Sequence, residues 1–439
     1  MDLHRNHPHG KKHCTFIDLF AGCGGLSLGL FRAGWNGLFG IEKDSFAFET
    51  LATNFLQKES RYKFDWPNWL PKTPLNLSDV LSTYQVEFTK KLPQLDLLVG
   101  GPPCQGFSSA GRRDPHDPRN QLLSLYLEAV HLLQPKFILI ENVKGMTIGF
   151  AEKENPSAVI NYSKQLIEAL SNHYTVWTAM LNSSDFGVPQ SRRRFIIIAQ
   201  DKNIAAKWDP FKHLEEKLPT FLRVRSLHDK MTSRSALSDL EITRNGTIPS
   251  HETPRFQEIC YIAPLTHYQL QMRDGMITPP SCTRLARHCE KIENRFAEII
   301  ELCHQDGHLN TSLRKNDRER FGLLKKAIRV LDPDQPAPTI TSMPDDLLHY
   351  SEPRTLTVRE NARLQSFPDW FDFKGKYTTG GHLRRKEVPR FTQVANAVPP
   401  LMAEAIGEMI LEHAELCRDK EAYAPAEERD FNNSLNTSR

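Results

Sequence analysis

With 439 residues, 39% of them hydrophobic and 25% charged, the chain has apolar material for a sizeable core and the length of two or three domains. No apolar run in it approaches the roughly 20 residues that cross a bilayer, and the polar, His-rich stretch 1–12 lacks the apolar centre of a signal peptide, so the expected setting is intracellular, with no membrane. A net charge of +3 and a pI near 8.3 are too weak to announce a nucleic-acid binder.

From Thr15 onward, short apolar runs alternate with amphipathic stretches. This predicts an α/β fold, a doubly wound parallel sheet with helices on both faces. Strands are predicted over 15–20, 38–42, 96–100, 137–141, 174–181 and 195–200. Before the fourth of these, Leu122, Leu123, Leu125, Tyr126, Ala129, Val130 and Leu133 recur at helical spacing, with a stop near Gln134-Pro135. After about Lys202 the alternation fades, and a second, smaller domain is expected before about Asp334. Residues 244–330 carry 14 Lys or Arg against 10 Asp or Glu, which fits either a basic face or a mixed, solvated one. A last helix is predicted over 401–411, after Val398-Pro399-Pro400, and the ends 1–12 and 418–439 are expected to be disordered.

The eight cysteines are dispersed without a CxxC pair, and a disulfide framework is not expected in a reducing compartment. Cys282, His288, Cys289, Cys303 and His304 lie near one another in sequence but match no zinc-ligand template, so no metal is assigned.

The first strand runs into Phe20-Ala21-Gly22-Cys23-Gly24-Gly25, a glycine-rich turn that opens a helix, and Glu42 follows about 20 residues later at the end of the second strand. That order suits a nucleotide-like cofactor, the acid holding ribose hydroxyls. A dinucleotide fingerprint would carry a third glycine where Ser27 stands. An adenosyl cofactor needs close backbone approach and an apolar face, which Phe20 offers. Both readings stand on this motif alone.

Three further elements carry chemistry. Cys104 lies just past the third strand, in Gly100-Gly101-Pro102-Pro103-Cys104-Gln105-Gly106-Phe107-Ser108. A loop thiol so placed is a candidate nucleophile once deprotonated, the competing reading being a buried structural cysteine. In Phe137-Ile138-Leu139-Ile140-Glu141-Asn142-Val143 an apolar strand runs into a carboxylate. Glu141 is either a proton donor or one half of a structural ion pair. In Gln190-Ser191-Arg192-Arg193-Arg194, strand alternation puts Arg192 and Arg194 on one face and Arg193 on the other. The pair can anchor Glu141 and grip a base oxygen or a phosphate, or simply face solvent.

Taken in order, these residues resemble the C5-cytosine-specific DNA methyltransferases over most of the chain. The glycine motif, Glu42, Leu77-Ser78-Asp79-Val80, Pro103-Cys104-Gln105, Glu141-Asn142-Val143, Gln190 to Arg194, the stretch from Arg354 through Pro368, and Gln393-Val394-Ala395-Asn396-Ala397-Val398-Pro399-Pro400 are similar to successive family motifs. The resemblance implies a catalytic domain over 13–243 completed by 385–415, a target-recognition domain over 244–331, and a segment 332–384 that organises the latter. It implies that Cys104, Glu141, Arg192 and Arg194 are catalytic. S-adenosyl-L-methionine would be held by Phe20, Ala21, Gly22, Gly24, Gly25, Glu42, Asp79, Val80, Pro103 and Asn396, and DNA by Gln105, Ser108 and Gln190. It implies further a cytosine flipped out of a specific double-stranded sequence, a covalent Cys104–C6 adduct, a monomer in a prokaryotic cytoplasm, and a paired restriction endonuclease. Within the same architecture, a tRNA-directed methyltransferase, which would carry a Cys-Phe-Thr tripeptide absent here, and a non-catalytic DNA-binding relative are the alternatives. Ala395 departs from the family's glycine, and is expected to strain the turn if that position needs a positive φ.

Overall fold

The computed structural model describes residues 14–102, 121–148, 150–151, 159–380, 383 and 386–423. The six predicted strands all form and all join one sheet: β1 (Thr15–Leu19), β2 (Asn36–Ile41), β3 (Leu97–Gly100), β4 (Phe137–Val143), β5 (Tyr174–Asn182) and β6 (Arg193–Asp201), in the order β2-β1-β3-β4-β6-β5. Five are largely apolar runs buried on both faces, as expected of strands covered by helices on either side, whereas the edge strand β5 is only partly buried, with Met180 exposed.

The expectation of a wholly parallel sheet needs correction. Strands β2, β1, β3 and β4 are mutually parallel, whereas β6 pairs antiparallel with both β4 and β5. The cause lies in the link between β5 and β6, which holds a single 3-10 turn and the two-residue strand Gln190–Ser191. A parallel return needs a crossover of a dozen or more residues, usually with a helix.

Helices α1 (Gly25–Arg32), α2 (Ser45–Phe55) and α3 (Gln121–Leu133) follow β1, β2 and β3. Asp44 caps α2 by accepting from the amides of Phe46 and Ala47, which fixes where the chain turns after β2. From β1 the chain steps to one side for β2 and to the other for β3, so the strand order reverses between β1 and β3. Ligands of open α/β sheets bind at such a reversal, outside the carboxyl ends of the strands.

Farther along come α4 (Val358–Leu364), α5 (Arg390–Asn396) and α6 (Pro400–Tyr423). Helix α6 returns to pack along α1: a Cβ added at Gly29 would lie 2.4 Å from the Ala403 Cβ, Trp35 Nε1 donates to the Gly407 carbonyl at 2.9 Å, and Arg32 pairs with Glu404 at 2.8 Å. It runs past the boundary expected at residue 418, because Ala414 and Cys417 are still buried and Arg418 reaches Asp96 at 3.2 Å. The stretch Arg390–Arg418 has the length and apolarity of a membrane span, but 72% of its most apolar window is buried inside the protein, so it serves as a core helix. Residues 1–12 lie outside the described part.

Two hydrophobic cores result. The larger takes in the sheet and its helices, and also Tyr268, Met272 and Cys282 and most of the apolar side chains from Leu331 to Cys417. The smaller is built by Phe296, Ile299, Ile300, Cys303, Leu313, Phe321, Ile328 and Val330, with Leu348. Cys282 and Cys303 therefore belong to different cores.

Candidate active site

The strand register brings the motifs to one edge. Leu19 of β1 is abreast of Gly100 of β3, and Gly100 is abreast of Ile140 of β4. The next residues, Phe20 and Gly101, therefore leave the sheet beside Glu141, which β4 still holds opposite Ile196. Glycine is needed at this crowded edge: a Cβ on Gly100 would lie 2.5 Å from the Leu19 carbonyl oxygen.

On the β1 side the turn is tight. Phe20 has φ 62, Gly22 φ 57 and Gly24 φ 95. Left-handed backbone of this kind is costly for a residue with a Cβ, and at Phe20 it marks a site held in place by its surroundings. Gly24 is pressed against the Phe55 ring, 2.5 Å from a hypothetical Cβ, whereas the space beside Gly22 is open, with nothing within 4 Å. The Gly22 amide donates to Glu42 Oε2 at 3.0 Å, and the Asp44 amide to Glu42 Oε1 at 2.7 Å. Burial pushes the Glu42 carboxyl above the ordinary glutamate range, the two amides opposing that shift. Beneath the turn, Asp18 is buried and accepts the Ser27 hydroxyl at 2.5 Å, and desolvation raises its carboxyl to about 7. Val80 is buried in the core, while Asp79 on the short helix Leu77–Thr83 is exposed.

The C-terminal return forms the opposite wall. A Cβ on Gly25 would lie 2.5 Å from the Val398 carbonyl. Gln393 accepts from the Thr50 hydroxyl at 2.6 Å and donates to the carbonyls of Lys374 and Val388, both at 3.0 Å. Asn396 ends α5 exposed. Ala395, expected to strain a turn, does not: it sits within α5 and is absent from the positive-φ residues, so a Cβ fits without cost.

On the β4 side, Glu141 is 9% exposed, and its Oε1 approaches Arg194 Nε to 2.6 Å. The N–H does not point along that approach, and neither atom has an aligned hydrogen-bond partner among the described residues. A Cβ on Gly101 would lie 3.5 Å from Glu141 Oε2, so the loop after β3 starts against this carboxylate. Asn142 Nδ2 donates to the Pro102 carbonyl at 3.1 Å and ties that loop to β4. Asn142 was not among the expected site residues, although its place beside Glu141 signalled it.

Burial alternates through Ser191 to Arg194, with Arg192 and Arg194 inside and Arg193 exposed, as strand periodicity predicts. Arg192 is 3% exposed, and its Nε has no hydrogen-bond partner among the described residues. Burial, with Arg194 beside it, pushes its guanidinium well below the ordinary arginine value.

Gln190 needs correction. Expected on the DNA face, it is fully buried and committed to the protein: its Nε2 donates to Gln365 Oε1 at 2.8 Å and its Oε1 accepts the Ile340 amide at 3.0 Å. It joins the Gln190–Ser191 strand to the neighbouring strand Ala337–Pro338. Pro103, Cys104, Gln105 and Ser108 lie outside the described residues. The described chain stops at Pro102, two positions before Cys104, at the edge where Glu141 emerges.

Comparison with known proteins agrees with this layout. Residues 14–412 match the family model for C-5 cytosine-specific DNA methylase. The chain is 33% identical over 408 residues to the Type II methyltransferase M.DdeI of Desulfomicrobium norvegicum, covering 90% of this chain and 88% of that protein. It is 30% identical to the Type II methyltransferase M1.HphI of Haemophilus parahaemolyticus, covering 90% and 86%. Among solved structures, one described as a DNA modification methyltransferase encoded within an E. coli prophage superposes with a TM-score of 0.62 at 25% identity, covering 91% of this chain and 99% of that one. The S. pombe Dnmt2 methyltransferase shares the fold, with a TM-score of 0.51 at 16% identity over 92% of this chain and 99% of that one. The chain therefore belongs to the C-5 cytosine-specific DNA methylase family and is a DNA cytosine-5-methyltransferase.

Proposed function

We propose that this enzyme methylates C5 of a cytosine within a short, specific double-stranded DNA sequence, with S-adenosyl-L-methionine as donor, as the modification partner of a restriction endonuclease in a prokaryotic cytoplasm. The observation that carries the reading is the convergence of Glu42 with the open Gly22 turn, and of Glu141 with two buried arginines, at the one edge where the strand order reverses.

The residues fit the donor. Gly22 leaves room for close backbone approach, Glu42 offers carboxylate oxygens to ribose hydroxyls, and Phe20, Val80 and Asn396, with Asp79, border the same end of the sheet. Bound there, S-adenosyl-L-methionine supplies an electrophilic methyl group.

A cytosine reaches this edge only when rotated out of the duplex, at a cost of a few kcal/mol. The Cys104 thiolate then adds to C6 and breaks the C5–C6 double bond, which makes C5 nucleophilic. Glu141 gives a proton or a strong hydrogen bond to N3 and so stabilises the electrons displaced toward the ring. Arg194 orients Glu141, while Arg192, whose buried Nε has no hydrogen-bond partner among the described residues, binds the base oxygen. Once C5 carries the methyl group, loss of the C5 proton and elimination of Cys104 restore the aromatic ring. The protein acts on DNA as a monomer.

Bisulfite sequencing of plasmid from cells expressing the protein reads the product and its sequence context together, and 5-methylcytosine at one recurring sequence is the expected result. Cys104→Ser should abolish methyl transfer while leaving donor binding intact. Turnover by that variant, or label entering tRNA alone, overturns the reading.

A further inference from the structure

The 14-to-10 excess of basic over acidic residues in 244–330 is not spread over that region. Residues 244–313 hold seven Lys or Arg against eight Asp or Glu, and residues 314–329 hold seven against two. The whole surplus is packed into one short segment.

This segment is the outer part of the smaller core. The helix Lys315–Arg320 is followed by a turn at Gly322, φ 64, and by residues that descend to the strand Arg329–Val330. Phe321 and Ile328 are buried in the smaller core, and Leu323 packs against it. Leu324, between them, is 99% exposed. Four of the basic residues are engaged: Arg314 pairs with Asp306, Lys315 with Glu319, Lys325 with Asp345 and Asp346, and Arg329 donates to the Ser312 hydroxyl. Arg318, Arg320 and Lys326 have no carboxylate partner among the described residues. Lys315, Arg318, Glu319, Leu323, Leu324 and Lys326 line one surface depression, so the bare leucine and two of the unpaired cations share a face.

An exposed leucine flanked by unpaired cations suits a partner that is negatively charged along its rails and apolar in patches between them. Duplex DNA has this character: phosphates along each strand, and base edges with thymine methyl groups in the groove. A tether adds a distance argument. Ala337 pairs with Gln190, two residues from Arg192, and lies eight residues after Arg329. Eight residues span at most about 28 Å, less than the roughly 34 Å of one duplex turn. The end of the segment at Arg329 thus lies within about one duplex turn of the Gln190–Ser191 strand that leads to Arg192.

We infer that residues 314–329 are the duplex-docking element of the recognition region, with Arg318, Arg320 and Lys326 on phosphates and Leu324 against base edges in the groove between them. The inference rests on the functional reading above and narrows its DNA-binding surface to one segment.

The test is binding of the full-length protein to a short random-sequence duplex at several salt concentrations, with labelled-methyl incorporation into unmethylated genomic DNA as the second readout. Each phosphate contact contributes about 0.9 to the slope of log affinity against log salt. R318Q/R320Q/K326Q should lower that slope by about 2 to 3, whereas the charge-matched K58Q/K72Q/K90Q should leave it unchanged. L324A should keep the slope and raise KM for genomic DNA about tenfold, as expected for losing the burial of most of a leucine side chain, with kcat unchanged. Melting temperatures verify that each variant is folded. A folded triple variant with the full slope, or an equal loss in the control, overturns the docking assignment while leaving the functional reading intact. A wild-type enzyme with no salt-dependent affinity for duplex DNA overturns both.

Discussion

Two regions of this enzyme bury arginines, and they treat the charge in opposite ways. Around α4, Arg363 is fully enclosed and meets Asp239 at 3.0 Å and Asp369 at 2.6 Å, while Arg354 meets Glu352 at 2.7 Å and Glu360 at 2.8 Å. Arg359 spends its donors on the carbonyls of Ser281, Pro368 and Phe371. At the candidate active-site edge, Arg192 is as deeply enclosed, yet its Nε has no hydrogen-bond partner among the described residues, and the Arg194–Glu141 contact is close but misaligned. A buried guanidinium carries a desolvation cost that good pairing recovers. The arginines around α4 are paired to hold the fold together; Arg192, with only the Glu141 charge to offset its burial, is the one on which the proposed base-binding role rests.

This contrast can be broken most sharply at Arg363. Arg363→Met leaves Asp239 and Asp369 buried without their cation, and should destabilise the protein by about 3–5 kcal/mol, lowering the melting temperature by roughly 10 °C. Arg192→Met should move stability little or upward, since it removes a buried charge offset only by Glu141 among the described residues, while kcat/KM for DNA methylation falls about 10- to 100-fold. Calorimetry and methyl-incorporation kinetics on the two variants suffice, and equal losses of melting temperature would erase the distinction. Asp18 sharpens the comparison from the acid side. Among the described residues it has no cation beside it and is held by Ser27, and its carboxyl lies at about 7 against an ordinary 3.8. The folded state therefore resists ionisation that the unfolded state accepts, so this residue's contribution to stability declines as pH rises from about 4 to about 7. The melting temperature of wild type relative to Asp18→Asn should drop by a few degrees across that window; a constant difference would refute the assignment.

Much of the sheet was legible because strands buried on both faces must be continuous apolar runs, and all six runs became strands of the one sheet. The reversal of β6 was not, since direction depends on how short a link can be, and β6 is as apolar as its parallel neighbours. Gln190 was misread despite a rule already in hand. The alternation that turns Arg192 and Arg194 inward turns Gln190 inward as well, and its polarity concealed that. The burial of α4 carries no sequence signal of its own: Arg359, Glu360 and Arg363 are enclosed because partners supplied by distant segments meet them. The smaller core was missed although Phe296, Ile299, Ile300 and Cys303 recur at helical spacing on the helix Glu290–Gln305; its other members, Leu313, Phe321, Ile328, Val330 and Leu348, come from short elements and turns without a sustained period.

The seating of α5 and α6 against the first glycine turn has a consequence for how the molecule comes into being. The turn that opens with Phe20 is synthesised well before the residues that wall it, from Gln393 through Ala403. A growing chain can form its strands early but cannot close this end of the sheet until those late residues have emerged. The edge at which Glu42 and Glu141 converge is thus finished only after everything between β6 and α5 has been made.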